Sequence, residues 1–302
     1  MNILVTGGKG FIGRYVVECL EQDHVVYIGT RGICNVKNSF QFFMDDVNWM
    51  DRFLTKYEIE GVIHLSGFAS VSKSFSDFFR VYESNVRDTV NLLNLLQNRY
   101  KKIRLVLASS AEVYKSSDQV LTEDSEMFSS SPYGISKIYI DNLVRILARQ
   151  NSLNWVVVRP FNTIGVGQQS SYVFPSFIRQ IVDIKLGKKE NVLKVGNIDV
   201  FRDFIDVRDV ARAYKVLIEN EERYDIFNVC SNRAYCLREC VEKMFEISGI
   251  DARIEVDENL LRPVDVMSMI GSNKKIFDKY NWRPSVLLEQ TISEMLLKQE
   301  KQ

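Results

Sequence analysis

Histidine is nearly absent: His24 and His64 are the only two in 302 residues. Both stand beside apolar, strand-like residues, which leaves little material for a histidine-rich metal site or an imidazole-based triad, and no metal is expected. Cysteine is sparse as well. The five (Cys19, Cys34, Cys230, Cys236 and Cys240) form no Cys-x-x-Cys pair, and buried thiols are expected. Surplus charge is missing too, since 39 Lys plus Arg balance 39 Asp plus Glu. That removes the cationic excess behind sequence-independent attachment to nucleic acid or anionic lipid, so neither partner is expected. Apolar runs such as 25–28 and 155–158 stop after about four residues, where a membrane span needs about 18–20. No charged leader precedes the apolar run Ile3, Leu4, Val5, and the expected location is the cytoplasm.

What is present is a globular composition, 46% apolar and 26% charged, on a chain long enough for about two domains. Short β-branched runs at 2–6, 24–29, 40–44, 61–65, 104–109 and 155–159 alternate with longer stretches of helical period. Each gap has room for a crossover helix, which predicts an α/β fold: a Rossmann-like, doubly wound parallel sheet. One such helix is expected over 85–100, where Val86, Val90, Leu92, Leu93, Leu95 and Leu96 form a broad apolar stripe. After Pro160 the pattern loosens into polar, glycine-bearing sequence and then mixed short elements. The expected division is a dinucleotide-binding domain over 1–160, with a returning segment at about 205–231, and a smaller C-terminal α/β substrate domain from the rest of 161–302. The tail, 293–302, reads as a charged, fraying helix end.

At the end of the first expected strand, residues 6–13 read Thr-Gly-Gly-Lys-Gly-Phe-Ile-Gly, followed by Tyr15, Val16, Val17 and Leu20 at helical spacing. Glycine at 7 and 10 lets the chain turn sharply and bring backbone N–H groups against a pyrophosphate, while Gly13 lets the helix approach the sheet. The helix N-terminus then faces the anion. A plain strand-to-helix turn also uses one or two glycines, but strand, turn and helix stand here in register, which predicts a dinucleotide held by Gly7, Gly10, Phe11, Ile12 and Gly13. The second strand ends in Ile28-Gly29-Thr30-Arg31, with no carboxylate to accept from the adenosine ribose hydroxyls. Arg31, helped by Thr30, suits a ribose 2′-phosphate, so NADP(H) is favoured; a merely solvated Arg31 leaves NAD(H). Asp46 and Val47 follow the third strand, where an acid reaches the adenine amino group, and Asp45 is an adjacent alternative.

Tyr133 and Lys137 stand four apart at the start of a helical stripe that continues through Ile140, Leu143, Val144 and Leu147. A free phenol, with a pKa of about 10, exchanges protons poorly at neutral pH, and an ammonium one turn away is expected to favour the phenolate. The strand ending Ala108-Ser109-Ser110 delivers a hydroxyl to the carboxyl end of the sheet, where ligands of such sheets bind, and Ser110 is the favoured one. Singly, each has an ordinary explanation, a surface i, i+4 pair or a loop serine. Together, after a glycine turn, they predict a catalytic trio of Ser110, Tyr133 and Lys137.

TGGKGFIG, VIHLSG, ASSAEVY, SPYGISK and RPFN occur in this order, and over nearly all its length the chain resembles the extended short-chain dehydrogenases/reductases of the NAD(P)-dependent sugar-nucleotide epimerase/dehydratase group. In the second half Gln168, FPSF at 174–177, VGNID at 195–199, RDF at 202–204, DVRD at 206–209, FNVCS at 227–231, LRP at 261–263 and IGSNK at 270–274 resemble its GDP-mannose branch, and most of all the 4-keto reductases there. The resemblance implies NADPH-dependent reduction of the 4-keto group of a GDP-linked 6-deoxyhexose, from GDP-4-dehydro-6-deoxy-D-mannose to GDP-D-rhamnose. It implies that Tyr133 protonates the carbonyl oxygen, that Lys137 also holds the nicotinamide ribose, that Ser110 bonds the same oxygen, and that Leu65 in VIHLSG touches the cofactor. Glu112 falls where related dehydratases carry a glutamate used in water elimination. Asn162 and Arg262 match positions that bind the nucleotide diphosphate sugar, with Arg202 a further candidate, although Arg262-Pro263 also reads as a loop end paired with Asp265. The group commonly forms homodimers through two helices per subunit, here those near 85–100 and 133–149. Lys115, where glycine is usual, and Ser66-Gly67-Phe68, where alanines are common, depart from the pattern. A 6-deoxy-talose-forming reductase, a 4,6-dehydratase or epimerase, and a catalytically silent NADP(H)-binding regulator are the alternatives.

Overall fold

The computed structural model describes residues 1–32, 35–149, 153–220, 224–261 and 266–301. Strand β1 (Asn2–Thr6) directs Ile3 and Val5 to one side and Leu4 to the other, and all three are fully buried. A strand apolar on both faces must be covered on both. Chain order supplies the covers: α1 (Phe11–Leu20), β2 (Val25–Thr30), β3 (Ser39–Gln41), α2 (Val47–Lys56), β4 (Gly61–His64), the single turns α3 (Val71–Ser74) and α4 (Phe78–Val81), then α5 (Asp88–Arg99), β5 (Arg104–Ala108), α6 (Pro132–Arg149) and β6 (Trp155–Pro160). Between α4 and α5 the chain makes a π-helical turn, Tyr82–Arg87.

A more irregular half follows: β7 (Asn162–Ile164), α7 (Val173–Lys185), β8 (Val192–Val195), β9 (Phe201–Arg202), β10 (Phe204–Asp206), α8 (Val207–Glu219), β11 (Asp225–Val229), β12 (Tyr235–Cys236), α9 (Leu237–Ser248), β13 (Arg253–Val256), β14 (Ser268–Met269), α10 (Lys274–Tyr280) and α11 (Leu288–Glu300). Seven strands form one parallel sheet in the order β11-β6-β5-β4-β1-β2-β3. Helices α1 and α8 share one core with one face, while α2, α5 and α6 share another with the opposite face. This is a doubly wound, Rossmann-like sheet. A third core lies among α7, α9 and α11, roofed by the small ladders β7·β10, β8·β13 and β12·β9·β14.

Two expectations need correction. The third strand spans only Ser39–Gln41: the Phe42 amide makes the last bond to β2, to the Thr30 carbonyl at 2.8 Å, and its ring packs against Trp49 and Phe53 under α2 at 4.9 and 5.3 Å. The tail does not fray at 293: α11 continues to Glu300 with Met295 and Leu296 buried in the third core. Cys230 and Cys240 are buried as expected, while Cys19 and Cys236 are only partly so, and all four are free thiols; Cys34 lies outside the described residues. Among the described residues no helix is long and apolar enough to cross a membrane, and no group of three His, Cys, Asp or Glu is placed to hold a metal ion.

Candidate active site

The turn after β1 is built from close approaches. Gly7 has φ +70°, a left-handed conformation that only glycine adopts freely, and a Cβ there would lie 2.8 Å from the Ser66 amide nitrogen. At Gly13 a Cβ would lie 2.3 Å from the Gly7 carbonyl, so α1 sits against the turn as no other residue would allow. Gly10 is the N-cap of α1, its N–H bonded to Gly7 O at 2.8 Å, and Phe11 and Ile12 form the first turn. The helix N-terminus thus meets the carboxyl edge of the sheet between β1 and β4, where the strand order reverses. These residues fit a dinucleotide. Leu65 lies beside them, its N–H bonded to Thr6 O at 3.1 Å. Arg31 is exposed just beyond β2. Asp46 has a local task that its sequence position did not reveal: its Oδ1 accepts from the Trp49 amide at 2.9 Å and caps α2, whose first residue is Val47.

Ser110 follows β5 and opens a short 3₁₀ turn, its hydroxyl accepting from the Glu112 amide at 3.2 Å. Pro132 starts α6, where a missing N–H costs nothing, and the Ser131 hydroxyl accepts from the Gly134 amide at 3.0 Å. Tyr133 thereby sits in the first turn of α6, near enough to Ser110 for the serine to ease its ionisation. One turn on, Lys137 lies 5.9 Å from the Tyr133 ring centre and donates to the Ala108 carbonyl at 2.9 Å. In the unliganded site burial, rather than Lys137, dominates the state of the phenol. Tyr133 is buried, with 8% of its surface exposed, and burial drives its pKa above the ordinary 10.0, against the pull of Ser110 and with that of Glu112. Burial also lowers Lys137 to about 8, with Asp141 opposing. The arrangement is a neutral phenol near a serine and beside a lysine, able to give a proton to an oxygen lodged between Ser110 and Tyr133.

Residues 4–295 match the family model described as GDP-mannose 4,6 dehydratase. The chain belongs to this family. It is 30% identical to the GDP-6-deoxy-D-mannose reductase of Pseudomonas aeruginosa, over 98% of this chain and 96% of that one. To the GDP-6-deoxy-D-talose 4-dehydrogenase of Aggregatibacter actinomycetemcomitans it is 28% identical, over 92% of this chain and 90% of that one. The solved structure of RMD from Pseudomonas aeruginosa complexed with NADPH superposes with a TM-score of 0.87 at 29% identity, covering 100% of this chain and 99% of that one. The family is one of short-chain dehydrogenase/reductase epimerases and dehydratases, and the chain is an oxidoreductase of that kind.

In this member of the GDP-mannose 4,6 dehydratase family several residues to which the sequence assigned no chemical role surround the trio. Asn85, turned inward by the π-helical turn, accepts from the Phe68 amide at 2.6 Å and donates to the Phe68 carbonyl at 3.1 Å and to Ser136 Oγ at 3.0 Å, tying the loop after β4 to α6. Its sequence signal was an amide inside an otherwise apolar stripe. Beneath Lys137, Arg159 is fully buried and donates to Asp141 at 2.7 Å, to the Tyr114 hydroxyl at 2.8 Å and to the Glu123 carbonyl at 3.0 Å. His64 is buried between Thr6 and Thr89 at 2.7 and 3.1 Å; burial lowers it to about 3, so it is neutral. Lys115 pairs with Glu126 at 2.8 Å, which pins the segment after the serine without the usual glycine.

On the substrate side the predicted residues are less gathered. Asn162, at the head of β7, donates its side-chain amide to the Asp203 carbonyl at 3.2 Å. Arg202 is half-buried in β9, donating to the Phe201 carbonyl at 2.9 Å. Glu112 is half-buried, and its charge acts on Tyr133. Arg262 lies outside the described residues.

Proposed function

We propose that this protein uses NADPH to reduce the 4-keto group of a GDP-linked 6-deoxyhexose, converting GDP-4-dehydro-6-deoxy-D-mannose to GDP-D-rhamnose. The observation that carries the reading is the Tyr133 phenol, kept protonated by burial one helical turn from Lys137, since reduction of a ketone needs an acid at the carbonyl oxygen. The full-length similarity to the Pseudomonas aeruginosa reductase, and the NADPH in the related solved structure, support the substrate class and the cofactor. The similarity to a GDP-6-deoxy-D-talose 4-dehydrogenase supports a second outcome at carbon 4, with the opposite configuration. Residues 1–160 with about 205–231 serve as the cofactor domain and the remainder as the sugar-nucleotide domain. The test is incubation with GDP-4-keto-6-deoxy-mannose and NADPH or NADH, following nicotinamide absorbance and identifying the product. No turnover with either cofactor would reject the reading.

Gly7, Gly10, Phe11, Ile12, Gly13, Asp46, Val47 and Leu65 hold the dinucleotide, which supplies a hydride to carbon 4 when bound. Ser110 and Tyr133 hold the carbonyl oxygen; the Tyr133 proton passes to that oxygen, and the phenolate left behind stands beside the Lys137 ammonium. Lys137 also bonds the nicotinamide ribose, and Glu112, Asn162, Arg202 and Arg262 bind the sugar nucleotide. With Lys137 lowered to about 8, the ammonium is lost as pH rises through that value, so kcat/KM is expected to fall on the alkaline side with an apparent pKa near 8. A profile flat to pH 10 would refute an essential ammonium at Lys137.

Arg31 confers the NADPH preference. One charge-assisted bond to a 2′-phosphate is worth about 1.5–3 kcal/mol, roughly 10–150-fold in affinity. Arg31→Ala is expected to weaken NADPH by that order and to leave NADH nearly unchanged; equal losses would make Arg31 structural. The protein acts in the cytoplasm as a homodimer. Phe78, Phe79 and Tyr82 with Ile135, Tyr139 and Ile146 are each at least half exposed on neighbouring elements, an apolar face of the kind a second copy covers, and a monomeric mass in solution would overturn that assignment.

A further inference from the structure

Asp203 occupies the gap between β9 and β10 and is fully buried, with 0% exposure. Its main chain already joins several segments. Its N–H donates to the Met269 carbonyl at 3.1 Å, and its own carbonyl accepts from the Asn162 amide at 3.1 Å and from the Asn162 side chain at 3.2 Å. The carboxylate reaches the other way, to the end of β11. Oδ1 accepts from the Ser231 amide and from the Ser231 hydroxyl, both at 2.7 Å, while Oδ2 accepts from the Asn232 amide at 2.9 Å and, less closely, from the Gly271 amide at 3.4 Å. A buried carboxylate is costly unless donors surround it in this way. Burial pushes its pKa up to about 6 and the donors pull against that rise, so at neutral pH the group is still ionised.

These partners gather at the edge of the large sheet that carries the catalytic serine. Ser110 stands just past the carboxyl end of β5, Asn162 past that of β6, and Ser231 and Asn232 past that of β11, and the three strands are parallel neighbours. Side chains close the remaining distance. Phe161, Cys230 and Met269 share one small core with Ala111 and Val113, the residues on either side of Glu112. A Cβ on Gly271 would lie 2.5 Å from the Phe161 ring and 2.8 Å from Cys230 Sγ, so the chain after β14 is pressed onto that core, and Asn273 fastens it by donating to the Cys230 carbonyl at 3.0 Å. Asp203 therefore ties the small ladders that hold Asn162 and Arg202 to the strand ends beside Ser110.

We propose that Asp203 is a positioning residue for the sugar nucleotide: its carboxylate fixes the junction of β9 and β10 to the end of β11 and so sets Asn162 and Arg202 in place relative to Ser110. The inference rests on the reading that Asn162 and Arg202 bind the nucleotide diphosphate sugar whose ketone Tyr133 protonates. Being buried, Asp203 acts through its neighbours: Asn162 is bonded twice to its carbonyl, and Arg202 precedes it in the chain. Binding groups fixed in advance lose less freedom when the substrate arrives, so loosening the carboxylate weakens the sugar nucleotide. The dinucleotide, held at the turn after β1 on the other side of β5, is left alone.

The experiment measures kcat and KM for GDP-4-keto-6-deoxy-mannose at saturating NADPH in wild type, Asp203→Asn, Ser231→Ala and Ser231→Thr, with NADPH affinity from fluorescence titration and the thermal midpoint alongside. Asp203→Asn sets an amide NH2 against peptide N–H groups and is expected to raise KM by about tenfold or more. Ser231→Ala removes only the hydroxyl bond to Oδ1 and should raise KM about threefold to tenfold, with kcat within about twofold of wild type and NADPH affinity unchanged. Ser231→Thr keeps the hydroxyl and should restore the wild-type KM. If the asparagine variant does not fold, the serine pair decides. An unchanged KM in Ser231→Ala would overturn the proposal, and so would equal losses of sugar-nucleotide and NADPH affinity, or defects confined to kcat or to the thermal midpoint. Wild type that fails to reduce this sugar at all would instead reject the reading of the reaction, and this inference with it.

Discussion

Tyr133→Phe is expected to lower kcat by about 10²–10⁴-fold and to leave the affinity for NADPH close to its starting value. The ring stays in its buried position at the start of α6, so packing and the approach of Lys137 to the Ala108 carbonyl are preserved. What disappears is the buried hydroxyl that carries the proton. A serine hydroxyl alone still bonds the carbonyl oxygen but is too weak an acid to replace the phenol, so residual activity should be small. The absorbance assay gives the rate, and a fluorescence titration gives NADPH affinity. Retention of more than about a tenth of the rate would mean that another group delivers the proton.

The second large effect concerns stability. Arg159 and Asp141 both have side chains with 0% exposure and meet at 2.7 Å. Removing one member of such a pair strands the other charge out of water, at a cost of about 3–5 kcal/mol. Asp141→Leu should therefore shift the urea midpoint far down, whereas Asp141→Asn, which keeps an oxygen for the Arg159 Nε–H, should lose less. Replacing both partners, Asp141→Leu with Arg159→Met, should recover much of the loss, because no uncompensated charge remains buried. A single leucine variant as stable as wild type would show that water reaches the guanidinium. Asp141 also opposes the fall of the Lys137 pKa, so the alkaline limb of activity should move to lower pH in the asparagine variant.

Most of the large sheet was legible because β1, β4, β5 and β6 are buried on both faces and so read as unbroken apolar runs. Strands β9, β12 and β14 have two residues each, too few for any period to register, and only tertiary pairing defines them. The π-helical turn was hidden inside a stripe that reads as one continuous helix, and with it the inward rotation of Asn85. At the site, the spacing of Tyr133 and Lys137 announced the pair. The protonation state did not follow from spacing, since it depends on burial of both side chains and on Asp141 beside Lys137.

The sheet is finished by β11, at residues 225–229, and one of its faces is covered by α8, at 207–219. During synthesis the strands β1 to β6 therefore leave the ribosome well before the helix that covers β4, β5 and β6, with Ile63, Val106 and Val156, on that face. The growing chain carries that part of the face, which α1 does not cover, bare while roughly a further 50–60 residues are added, several seconds at about 5–20 residues per second. A molecule shortened before α8 never outgrows this vulnerable stage. It should be found in inclusion bodies or bound to chaperones, even though its glycine turn, Ser110, Tyr133 and Lys137 are all in place.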